Sequence, residues 1–183
     1  LEVPLVRVWE RPGSAAELLE TVRAIKGAEG VVIRFGDGRW VKIKGEEYAL
    51  MHKAKDSITR EKNVLAVLLD GVADDLRPLL SEEDRAQLDK YAERLSGAMR
   101  RAADEVERAV TAGAEADQKS FATEVLGQAP AWLRPLAFAV RAGKATPLEA
   151  VRQSWRKSCG SQTDVDALRP LLGFDWDGPT LEE

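Results

Sequence analysis

Histidine and cysteine occur once each in this chain of 183 residues, as His52 and Cys159, and there are only two methionines and two tyrosines. A single cysteine cannot close an internal disulfide and points weakly to a reducing, cytoplasmic setting; its ordinary role is a small buried or half-buried side chain. With no second histidine or cysteine at ligand spacing, His52 is no metal ligand of the usual kind. No apolar run approaches the roughly 20 residues that cross a bilayer, so no membrane partner is expected. The first residues, LEVPLVRVWERPG, lack the basic start and long apolar stretch of a signal peptide. Positive charge is scarce too: 27 lysines and arginines face 31 acids, a net charge of -4. That balance excludes a nucleic-acid binder working through overall charge, so any nucleic acid must meet a local basic patch.

What is present suits one domain of ordinary size, or one and a fraction. Hydrophobic residues make up 44% of the chain and charged residues 32%. Val3 to Trp9 is rich in β-branched residues and reads as a strand. Ser14, with Glu17 three residues on, has capping-box spacing and opens a helix with Leu18, Leu19, Val22 and Ile25 on its apolar face; Gly27 can stop it. A hairpin follows, with Asp37–Gly38 as a type I′ turn between Val31–Phe35 and Trp40–Lys44. Beyond Gly45 the pattern is helical. From Glu46 to about Asp70 apolar residues recur at helical spacing, and Ser81 caps a long helix striped by Leu88, Tyr91, Leu95, Ala98, Ala102, Val106 and Ala109. Further helices are expected at 117–126, at 131–142, from Thr146–Pro147, and at 165–172. The tail FDWDGPTLEE reads as loosely held. The fold class expected is α+β, a small β portion followed by an all-α region.

The hairpin is where chemistry concentrates. With Asp37–Gly38 as a two-residue loop, Phe35 faces Trp40, Ile33 faces Lys42 and Val31 faces Lys44. Glu29, Val31 and Ile33 then share a face with Lys42 and Lys44, opposite Val32, Val41 and Ile43. Two lysines on a mostly apolar face are costly unless an anion meets them. A nucleotide phosphate would serve, with Glu29 nearby to hold a divalent metal. The plainer reading has both lysines reaching solvent from an edge strand, and spacing alone favours it. The Gly36-Asp37-Gly38 stretch is no phosphate loop, because no Lys-Ser/Thr follows it.

On a helical wheel the next segment places Tyr48, His52, Lys55, Thr59 and Lys62 along one side. His52 there reads as a polar-face residue beside cations. With Lys42 and Lys44, this stripe makes a compact basic surface of the kind that phosphate-backbone contact requires. His52, Lys55 and Lys62 are therefore candidate RNA contacts. Arg100, Arg101 and Arg108 on the long helix, and Trp132, Trp155 and Trp176 as stacking residues, are weaker ones, since solvated faces and core packing explain them as well.

In this order and spacing the residues resemble a known family. Glu29-Gly30-Val31-Val32-Ile33 resembles motif IV of the covalent nucleotidyltransferase superfamily, and Val41-Lys42-Ile43-Lys44 resembles its motif V. The continuation from Glu47 through Tyr48, His52 and Lys55-Asp56-Ser57-Ile58-Thr59 is similar to ATP-dependent RNA ligases of the T-even phage tRNA-repair type. The likeness covers roughly Leu1 to Leu69, and the helical remainder agrees only in character. It implies that residues 1–45 end an adenylation domain and that 46–183 form an all-helical domain selecting tRNA-like or broken RNA. It also implies a ligase that joins RNA 5′-phosphate and 3′-hydroxyl ends through lysyl-adenylate and RNA-adenylate, with ATP and Mg²⁺ or Mn²⁺. Glu29 would act through the metal and nucleotide, while Lys42 and Lys44 would bind and neutralise the ATP phosphates.

One departure is serious. The family's nucleophile is the lysine of a Lys-x-Asp-Gly motif, and none of the Asp-Gly pairs here (Asp37–Gly38, Asp70–Gly71, Asp177–Gly178) has a lysine two residues before its aspartate. The start at Leu1 and the small number of strands fit the C-terminal part of a ligase, or one half of a split one whose N-terminal segment is a second chain. Alone, the chain is not expected to become adenylated. Two alternatives stay open: a non-catalytic helical RNA-binding or interaction module that retains ligase remnants, and an all-α structural protein with an accidental hairpin.

Overall fold

Ser14 begins the first helix by accepting a hydrogen bond on Oγ from the Glu17 amide at 3.1 Å, which satisfies one of the free donors of a helix start. The Glu17 carboxylate turns back to the Gly13 amide. In this computed structural model, which describes Val8 and residues 13–179, helix α1 spans Ala15–Ala24. Strands β1 (Gly30–Arg34) and β2 (Trp40–Lys44) pair antiparallel, and α2 runs from Glu46 to Ile58. Then come α3 (Glu61–Asp70), α4 (Ala73–Leu76), α5 (Glu82–Ala112), α6 (Gln118–Ser120) and a π-helical turn at Phe121–Val125. Helices α7 (Leu133–Arg141), α8 (Pro147–Ser158), α9 (Gln162–Ala167) and α10 (Arg169–Leu172) complete the order. The class is α+β: one two-stranded antiparallel sheet, with the rest of the described secondary structure helical. The strand expected at Val3 to Trp9 lies outside the described residues apart from Val8, as do the last four residues of the tail.

The chain divides into two compact units, and the division falls inside α2, between Lys53 and Ala54. In the first unit α1 lies against β2. Its one fully buried apolar side chain among the described residues is Val22, while Val31, Ile33 and Ile43 are only half-buried. A two-stranded hairpin is marginal by itself, so the packing of α1 on β2 contributes to holding it.

The second unit is built around α5, whose stripe at helical spacing buries Leu88, Tyr91, Leu95, Ala98, Ala102 and Val106. Helices α7, α8 and α10 pack on it, and α3 packs on α8 and α9. Thr146 and Glu149 form a reciprocal capping box at the start of α8, with Pro147 at its first position. Trp155 on α8 is 1% exposed and Trp132 packs against the core, so both are packing residues. Cys159 is buried and points its thiol at the Trp155 carbonyl, 3.4 Å away.

Two expectations are overturned here. The helix expected to run unbroken from Glu46 to Asp70 stops at Ile58 and restarts at Glu61. Arg60 is extended (φ −114°, ψ 128°), and the Thr59 hydroxyl bonds back to the Asp56 carbonyl at 2.8 Å. Tertiary contacts overrule the periodicity, because Glu61 enters a buried network: Tyr91 donates to it at 2.9 Å and Arg169 at 2.6 and 2.8 Å. The tail, expected to be loose, is anchored as far as its middle. Phe174 is 7% exposed and meets Tyr91 edge-on, while the Trp176 indole N–H donates to the Ile58 carbonyl at 2.7 Å.

The candidate site on the hairpin

The hairpin's register decides which side chains share a face. The pairs are Gly30 with Lys44, Val31 with Ile43, Val32 with Lys42, Ile33 with Val41, and Arg34 with Trp40. This is one residue away from the expected pairing, and a shift of one moves each side chain to the other face. Val31, Ile33, Val41 and Ile43 therefore share the apolar face. Lys42 and Lys44 sit on the opposite face with Val32, Arg34 and Trp40, not with Val31 and Ile33.

The turn explains the shift. A type I′ turn needs positive φ at both central residues, and no residue other than glycine has positive φ among the described residues, so Asp37 cannot adopt it. Instead, the Gly38 amide closes a tight turn onto the Phe35 carbonyl at 3.0 Å, with Gly38 itself left-handed at φ 86°. The loop is thus Gly36-Asp37-Gly38, a three-residue connection ending in a left-handed glycine. The Asp37 carboxylate accepts from the Arg39 amide at 3.1 Å and pairs with its guanidinium at 2.7 Å.

Glu29 reaches the lysine face despite alternation. By parity it belongs with Val31, yet its carboxylate lies 2.7 Å from Lys42 Nζ and 4.0 Å from Lys44 Nζ. The backbone between them is irregular: Gly30 has φ 149°, and a Cβ there would fall 2.1 Å from the Ile43 carbonyl oxygen. Only glycine admits that close passage. The ladder continues past it, with the Gly45 amide donating to the Glu29 carbonyl at 2.9 Å. The Lys42 hydrogen bond holds the Glu29 carboxyl below the usual carboxylate range, and the charges of Lys42, Lys44 and His52 add to it.

Helix α2 extends the cluster. Lys44 lies 5.6 Å from the Tyr48 ring centre, and Tyr48 stacks on His52 one turn later with centroids 5.9 Å apart. The Glu47 carboxylate accepts from the Gly27 amide at 3.3 Å, tying the start of α2 to the segment after α1. Glu29, Lys42, Lys44 and His52 therefore form one chain of contacts through Tyr48. Lys55 and Lys62 belong to the second unit; Lys55 is on α2, the helix of His52, whereas the break at Thr59–Arg60 places Lys62 on a separate helix, α3. The observed register brings Arg34 onto the lysine face, whereas alternation along β2 puts Trp40 there with Lys42 and Lys44 in any register. Trp40 is 66% exposed, with the Arg34 guanidinium 5.6 Å from its ring centre.

Chemically the cluster offers two ammonium groups to an anion and one carboxylate to a cation. Among the described residues no three His, Cys, Asp or Glu side chains gather as a metal cage. A divalent ion held by one carboxylate and completed by phosphate oxygens fits this donor set, as is usual for Mg²⁺. It would also offset the repulsion between Glu29 and a phosphate drawn to the lysines. No protein-family model matches the chain, and no solved structure matches it. No helix among the described residues is long and apolar enough to cross a membrane.

Proposed function

We propose that the chain is part of an ATP-dependent RNA ligase and that its hairpin is a phosphate-handling wall of the nucleotidyl-transfer site. The observation that carries this reading is the convergence of the Glu29 carboxylate on Lys42 Nζ and Lys44 Nζ, at 2.7 and 4.0 Å. These are the residues that the motif IV and motif V likeness selects. In this role Lys42 and Lys44 bind the nucleotide phosphates and offset the charge that builds on them during transfer. Glu29 orients Lys42 and presents one carboxylate oxygen to a divalent ion, Mg²⁺ or Mn²⁺, which when bound polarises the phosphoryl oxygens. The nucleophilic lysine comes from a Lys-x-Asp-Gly segment outside this sequence, whether N-terminal to it or on a second chain. RNA ends are the substrate, the helical unit contributes to their selection, and the setting is cytoplasmic.

A second reading, a non-catalytic RNA-binding module, draws on the missing Lys-x-Asp-Gly motif and keeps the same cationic face. Labelled ATP separates the two. Incubated alone, the chain acquires no AMP under either reading. With a polypeptide supplying the Lys-x-Asp-Gly segment, the ligase reading predicts a labelled lysine on that polypeptide only when this chain is added, and loss of labelling with Lys42→Ala or Lys44→Ala. Persistent silence in the mixture supports the module.

A further inference from the structure

The face that carries Lys42 and Lys44 has an aromatic member no motif accounts for. Trp40 stands on it two residues before Lys42, paired across the ladder with Arg34, and is 66% exposed. An indole left largely in water beside cations forgoes much of the free energy of burial. The Arg34 guanidinium lies 5.6 Å from its ring centre. Along β2, Trp40, Lys42 and Lys44 recur about 7 Å apart, the two-residue repeat of a strand. Beyond them Tyr48 lies under Lys44. The face holds Arg34, Lys42 and Lys44 against the one carboxylate of Glu29, a local excess of positive charge in a chain of net charge -4.

We infer that this face binds single-stranded RNA, with a nucleobase stacked on Trp40 and the adjoining backbone phosphates on Arg34, Lys42 and Lys44. Stacking needs an exposed π-face, and backbone contact needs cations spaced along an extended track; both lie on one side of the hairpin. The charge excess selects a polyanion over an apolar peptide. The inference rests on the RNA reading of the hairpin but adds to it a base-binding residue that phosphate chemistry alone does not require.

The test is fluorescence anisotropy of a labelled, 5′-phosphorylated oligouridylate titrated with the full chain at low salt. Trp40→Ala should weaken binding about 5- to 100-fold, the equivalent of about 1–3 kcal/mol for one stacked base. Trp40→Phe should recover most of the loss, and an abasic strand should bind the unaltered chain as weakly as the RNA binds Trp40→Ala. Because the indole is exposed, both variants should keep the helical circular dichroism of the parent. Equal affinity of Trp40→Ala and parent overturns the stacking role; if Lys42→Ala still weakens binding, phosphate handling survives without it. If neither substitution weakens binding, both readings fall together. Self-association that Trp40→Ala abolishes, without RNA binding, also overturns the inference and makes a second copy the occupant.

Discussion

Glu29 and Glu61 are both glutamates paired with cations, yet they differ in what pairing does. Glu29 and its lysines are half-exposed, so their pairing matters for the charge offered to a ligand more than for stability. Glu61 is 7% exposed, and Arg169 and Tyr91 supply the hydrogen bonds that its carboxylate needs there. Burial pushes the Glu61 carboxyl upward, but Arg169 and Tyr91 outweigh it and hold the group below its ordinary range. Glu61→Ala should therefore cost about 3 kcal/mol in denaturant unfolding, the low end for a broken buried pair, because Asp166 and Asp175 still face Arg169. The sign of its pH dependence follows. A depressed native value adds stability at pH above the unfolded carboxylate value, and that stability is lost as pH falls through the native one. The parent should lose stability on acidification below about pH 4, and Glu61→Ala should lose less over the same interval. None of this was legible in sequence. Glu61 reads as one more polar position, since its partners lie 30 and 108 residues away.

Elements were legible where their signals are local. The caps at Ser14, Ser81 and Thr146 depend on residues three apart, and each opens a helix as read. The hairpin itself was legible, but its register was not. Asp-Gly serves a two-residue turn, and Gly-Asp-Gly equally serves a three-residue loop closed by a left-handed glycine. That single ambiguity exchanged Val31 and Ile33 for Val32 and Arg34 as the β1 neighbours of the lysines. Gly30 is the position on which the resulting geometry depends, so Gly30→Ala should break the pairing beside Ile43 and Lys44. Amide spectra should show the β1 and β2 resonances collapse while those of α5 and α8, in the other unit, keep their positions. Unchanged β1 and β2 resonances would mean that the close passage at Gly30 is not required.

At the scale of the molecule, composition foretold an acidic chain, and the residue patterns along it foretold an α+β order of elements, which the structure follows. The tail looks loose in sequence because Asp-Gly-Pro turn residues interrupt it. Phe174 and Trp176 reverse that by docking on Tyr91 and on the end of α2, contacts that local spacing does not encode. The proposal that Glu29, Lys42 and Lys44 form a phosphate-handling group makes a direct prediction about anion binding. It is tested most directly by titrating the full chain with inorganic tripolyphosphate, with and without Mg²⁺, while recording the Lys42 and Lys44 side-chain resonances. Saturable shifts are expected at both lysines, strengthened by Mg²⁺ through Glu29, with a loss of affinity of about tenfold or more for Lys42→Ala, as for a charged hydrogen bond. Lysine resonances that do not move, or an affinity that Lys42→Ala leaves intact, would contradict the proposal.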